Sequence, residues 1–157
     1  MKLDLAALPL RTGTIYPAPY AAEVEGRVSL RLGQAGGLTQ FGVNIVILAP
    51  GAKSSLRHWH LHEDEFVMIL SGGCTLVMDA GPTPMLPGDC AAFPAGVPDG
   101  HHFINQTDAQ TRFLVVGSRA AHEVATYSDV DLRVEQSGGV NTFTRRDGAP
   151  HSDRSLS

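Results

Sequence analysis

Short apolar runs recur along the chain, and Gly (17 residues) and Pro (10 residues) stand between them as punctuation. That pattern predicts short strands joined by tight turns. Candidate strands are Arg27–Leu32, Phe41–Leu48, Glu65–Leu70, Cys74–Met78, Thr83–Leu86, Cys90–Phe93, His102–Asn105, Arg112–Gly117 and Glu123–Tyr127. Apolar spacing of three and four residues is not sustained anywhere, apart from a short turn near Leu5–Leu8. The expected fold is all-β. Residues 1–26 read as an arm, extended over Leu8–Tyr20 by Pro9, Pro17 and Pro19. Residues 27–147 read as one barrel with further C-terminal strands, and residues 148–157 as a polar, disordered tail.

Several strands are apolar on both faces. In Glu65–Leu70, alternation puts Glu65, Val67 and Ile69 on one side and Phe66, Met68 and Leu70 on the other. The run Ile45–Leu48 behaves alike. A barrel wall of Val43, Ile45, Ile47, Val67 and Ile69 is expected. A half-wet antiparallel sheet would show polar residues at every second position. Both faces therefore need cover, which predicts a homodimer, with Trp59 and the Pro-rich arm as contact elements.

Composition narrows the class. With 157 residues, 43% hydrophobic and 18% charged, the chain suits one globular domain. A net charge of −4, with Lys2 and Lys53 its sole lysines, gives no electrostatic case for nucleic acid or membrane binding. Two cysteines, Cys74 and Cys90, are too few for a disulfide scaffold and read as half-buried thiols. The start lacks a signal-peptide core, since Asp4 interrupts it, and no stretch approaches a membrane span. A reduced, cytoplasmic protein is expected.

The chemistry concentrates in two stretches. His58 and His60 are two apart, so on a strand they share a face. After a loop of four residues Glu65 opens the next strand. Two imidazoles and a carboxylate can thus converge inside a barrel, a donor set suited to one divalent Fe, Mn, Ni or Zn ion. A dication also compensates the cost of burying the carboxylate. The second stretch, Gly88 to Asn105, turns at Pro94 and Gly96 and supplies a fourth ligand, His101 or His102.

These stretches resemble the paired motifs of the cupin superfamily. Gly51, His58, His60, Glu65 and Gly72 follow the first, with six residues rather than five between Gly51 and His58. Gly88, Pro94, Gly96, His101 and Asn105 follow the second, with four residues rather than two between Gly96 and His101. The three-residue spacing to Asn105 favours His101. From Thr12 to Gly148, segments such as TGTIYPAPY, RHWH, EDEF, GHHFIN and TRRDG are similar to a group of small single-domain bacterial cupins labelled sugar phosphate isomerases. The resemblance implies a double-stranded β-helix, or jelly-roll, barrel that holds its metal through His58, His60, Glu65 and His101. It also implies a small-molecule ligand.

Other polar residues carry plainer expectations. His62 and Asp99 are the acid/base candidates at the barrel mouth, though a solvated loop histidine and a turn aspartate explain them as well. Glu63 and Asp64 read as a wet hairpin tip. His102 and Trp59 turn away from the ligands, Asn105 bonds a turn, and Arg145 and Arg146 lie on a solvated face. Strand parity turns Lys53 and Arg57 outward, and no inward basic residue is read from the sequence.

The expected function is a metal-dependent enzyme on a small oxygenated molecule, an isomerase or epimerase of a sugar or sugar phosphate. An Fe(II) dioxygenase and a non-catalytic ligand-sensing barrel are the alternatives. A DNA-binding version lacks both a helix-turn-helix and the charge.

Overall fold

The computed structural model describes residues 1–151. Strands β1 (Arg27–Leu30), β2 (Phe41–Leu48), β3 (His58–His60) and β4 (Glu65–Ser71) build the first half. They are followed by β5 (Cys74–Met78), β6 (Gly81–Met85), β7 (Cys90–Phe93) and β8 (His102–Ile104). Last come β9 (Thr111–Ser118), β10 (His122–Tyr127), β11 (Arg133–Ser137) and β12 (Val140–Thr144). A five-stranded sheet runs β1-β2-β9-β4-β7. Two smaller sheets run β12-β11-β10-β3 and β6-β5-β8. A bridge between His58 and His101 links the smaller sheets through β3 and the residue preceding β8. Every strand pairing is antiparallel, which gives the expected jelly-roll barrel.

The main core joins Val46, Leu48, Val67, Ile69 and Phe113 of the large sheet to Cys74, Leu76, Met85 and Phe103 of the smaller one. A second cluster of Leu56, Ala125, Tyr127, Leu132 and Val134 receives Tyr16 and Tyr20 from the arm. The arm is also stitched on by two backbone bonds between Arg11 and Ser29. The motif glycine Gly72 has φ +72°, and a Cβ there would lie 2.6 Å from the Gln110 carbonyl oxygen. Only glycine fits that turn. Pro82 and Pro84 sit in β6, an edge strand, where a missing N–H costs no ladder bond.

Several expectations need correction. Leu32 does not extend β1 but starts a short helix, α1 (Leu32–Ala35), and Tyr20–Val24 is a 3-10 turn. The β2 parity is reversed. Asn44, Val46 and Leu48 pair with the inward Val115, Phe113 and Thr111, so Val43, Ile45 and Ile47 face outward. An unbroken apolar run from Ile45 to Leu48 leaves parity undetermined by pattern alone. Cys90 is exposed and only Cys74 is buried, and both are free thiols. Of the expected disordered tail, Pro150 bridges Thr144, and residues 152–157 lie outside the described residues. No helix among the described residues is long and apolar enough to cross a membrane.

Candidate metal centre

Strand β3 presents His58 and His60 on its inward face, opposite Tyr127 and Ala125 of β10. On its other edge His58 exchanges two backbone hydrogen bonds with His101, at 3.2 and 2.9 Å. Glu65 enters from the large sheet as the first residue of β4, opposite Gly117 and Phe93. The intervening loop is pinned. Glu123 of β10 accepts the Leu61 and His62 amides at 2.8 and 3.0 Å. Asp64 accepts the Ala95 amide at 2.8 Å, and Glu63 accepts the Ala120 amide at 2.8 Å. Glu63 and Asp64 are therefore fastenings of the loop rather than a wet tip.

The ligand-type atoms converge. Nε2 of His58 lies 3.2 Å from Nε2 of His60, which lies 3.7 Å from one Glu65 oxygen. Nε2 of His101 lies 3.3 Å from the other. His58 donates its Nδ1 proton to the Leu56 carbonyl at 2.9 Å, so its Nε2 carries a lone pair directed at its neighbours. Nδ1 of His60 is buried without a hydrogen-bond partner and lies 3.6 Å from the Glu123 carboxylate. Nitrogen and carboxylate atoms packed at this range need protons or a cation between them. His58, His60 and Glu65 form a group that could hold a metal ion.

Burial, with the nearby charges of His60 and His101, pushes the His58 imidazole down to about 3. Burial also disfavours the His60 charge, but the Glu65 hydrogen bond and carboxylate outweigh it and raise that group. Burial likewise raises the Glu65 carboxyl, yet hydrogen bonds from His101 and His60 hold it well below the usual carboxylate range. The His101 ring stacks flat on Phe93, centroids 3.5 Å apart, which fixes its aim.

The remaining expected residues sort clearly. His102 is on the outward side, its Nδ1 donating to the Ser55 carbonyl at 3.2 Å, so His101 is the inward histidine. Asn105 is fully buried and donates to the Leu48 and Ala109 carbonyls. Trp59 lines a small cavity with Met78, Pro94, Val97 and Asp99, which His60 and His101 also border. Asp99 accepts the Asp79 amide there. His62 is exposed beside His122. Neither His62 nor Asp99 lines the cavity above the histidines. Arg145 and Arg146 are exposed as expected, and Arg146 donates to the Tyr127 and Ser128 carbonyls.

That cavity, of about 500 Å³, takes Thr14 and Tyr16 from the arm, Asn44 and Val46 from β2, and Tyr127 from β10. It also takes Arg27 and Arg31, so the expectation of no inward basic residue fails. Glu123 and Arg27 both went unread in the sequence. Their only signal was inward parity, for Glu123 in a strand whose partner β3 lies far away along the chain and for Arg27 against the undetermined face of β2.

Comparison with known proteins agrees with this architecture. The Cupin domain family matches residues 44–117. A sugar phosphate isomerase of the cupin superfamily from Silicibacter pomeroyi is 57% identical over 97% of each chain, with a TM-score of 0.95. An Acidithiobacillus ferrooxidans protein, named as a candidate sugar phosphate isomerase, is 31% identical over 77% of each chain, with a TM-score of 0.73. The polyketide cyclase RemF of Streptomyces resistomycificus shares the fold at 21% identity and a TM-score of 0.60, over 75% of this chain and 78% of its own. No curated protein matches.

Proposed function

The chain belongs to the cupin family, and from that premise we propose a metal-dependent isomerase or epimerase acting on a small sugar or sugar phosphate. His58, His60, Glu65 and His101 are its ligands for one divalent transition metal. The carrying observation is the convergence of three imidazole Nε2 atoms and the Glu65 carboxylate inside the barrel. A divalent ion held there supplies Lewis acidity toward a substrate carbonyl. The chain's own residues do the rest. Val46, Phe103, Phe113 and Val115 give the cavity an apolar wall that excludes water and strengthens charge interactions. Tyr16 and Tyr127 line it too, and burial holds both phenols protonated, as hydrogen-bond donors toward substrate oxygens. Two relatives named for this activity, one sharing 57% identity, support the reading. The test is a screen of aldose and ketose phosphates in D₂O, followed by proton NMR. Solvent deuterium entering beside the carbonyl supports isomerisation. Metal-loaded protein that exchanges none of them contradicts it.

We also propose a homodimer in the cytoplasm. The outer face of the large sheet carries two apolar rows, Val43–Val116–Phe66 and Ile45–Leu114–Met68, in direct cross-strand register. Phe66 is 39% exposed and Leu70 is 43% exposed. An uncharged patch on central strands fits a second copy of itself, closing about a two-fold axis. Two free cysteines, one of them exposed, suit a reducing compartment.

A further inference from the structure

Among the described residues, Arg57 is held by Asp79 and Asp129, and Arg133 by Glu135, and no other arginine forms an ion pair. Arg27 differs from the other unpaired arginines in being half-buried rather than exposed. It opens β1 opposite the fully buried Leu48 and shares its inward face, and its Nε is buried with no hydrogen-bond partner. Among the described residues no carboxylate forms an ion pair with Arg27 or Arg31. A guanidinium Nε buried without a partner is costly, and no described carboxylate offsets the Arg27 charge by an ion pair.

The space around it shows where a compensating anion belongs. The histidine cavity adjoins a second one, of about 570 Å³, and both are lined by Arg27, Arg31 and Asn44. The second cavity adds Ser29, Gln34 and Arg119, and no acidic side chain lines it. Arg27 and Arg31 therefore border the same cavity as His58, His60, His101 and Glu65. Asn44 is on the inward face of β2.

Building on the metal-site reading above, the geometry points to Arg27 and Arg31 as the subsite for the phosphate of a small sugar phosphate. The oxygen-rich end of the sugar lies toward the histidines. Two guanidinium forks, with Arg119 and the amides of Gln34 and Asn44 nearby, match a dianion with three terminal oxygens better than a single carboxylate. Burial lowers the pKa of Arg27, and the neighbouring Arg31 charge lowers it further, which a bound dianion would relieve.

The test uses inorganic phosphate and chelator-treated, metal-free full-length protein, so that phosphate cannot bind through the metal. Isothermal titration should show saturable phosphate binding. Arg27→Gln and Arg31→Gln should each weaken it by about tenfold or more. Arg57→Gln, on the outer surface, should not. Arg31 is exposed, so its variant reports even if Arg27→Gln folds poorly. Binding that is unchanged in Arg31→Gln and in folded Arg27→Gln overturns the subsite. So does phosphate binding that appears only in metal-loaded protein and vanishes in His58→Ala. A protein that binds phosphate without metal but isomerises nothing would sink the isomerase reading and keep the subsite.

Discussion

Glu123 of β10 faces Nδ1 of His60 at 3.6 Å while accepting two amides of the loop that leads to Glu65. One buried carboxylate thus lies beside His60 and anchors the segment leading to Glu65. Glu123→Gln should weaken metal affinity about 10- to 100-fold, as outer-shell partners of ligating histidines do. Competition with a chromophoric chelator measures it. An unchanged affinity would reduce Glu123 to a loop fastener.

Metal affinity should depend on pH through His60. The His58 imidazole, pushed down to about 3, takes no proton in the working range. His60, raised by Glu65, holds a proton that the metal must displace. Affinity should therefore fall as pH is lowered through the His60 titration, by about tenfold per pH unit for one displaced proton. Chelator competition between about pH 5 and pH 8 reads that slope. A flat profile contradicts the assignment.

Light scattering should report twice the 16.7 kDa chain mass. Phe66→Asp, which places a charge in the middle of the outer apolar rows, should yield folded monomer. Wild-type monomer at micromolar concentration would end the dimer proposal.

Activity should be redox-neutral. Protein loaded with Zn(II) or Mn(II) should convert its substrate under argon as fast as in air. Turnover that requires Fe(II) and consumes oxygen in step with product would favour a dioxygenase instead.

The candidate site was legible because two local signals met. His-x-His on a strand fixes one face, and an independent Pro-x-Gly turn delivers His101. The spacing to Asn105 favoured His101 over His102, and His101 is the one that lies beside His58 and Glu65. Parity of β2 was not legible, because Ile45 through Leu48 are apolar on both sides. Asn44, a lone polar residue in that strand, was the clue that its even positions face a wet cavity. Glu123 and Arg27 were hidden for another reason. Glu123 acts across a pairing of strands distant in sequence, β10 with β3, and the inward side of Arg27 follows only from the β2 parity that the pattern left open.

Elemental analysis of protein purified without chelators bears most directly on the metal centre. Wild type and His102→Ala should carry close to one divalent transition metal per chain. His58→Ala and His101→Ala should lose most of it, since each removes one of four ligands. Metal retained at the wild-type level in both of those variants, or lost in His102→Ala alone, would contradict the assigned centre.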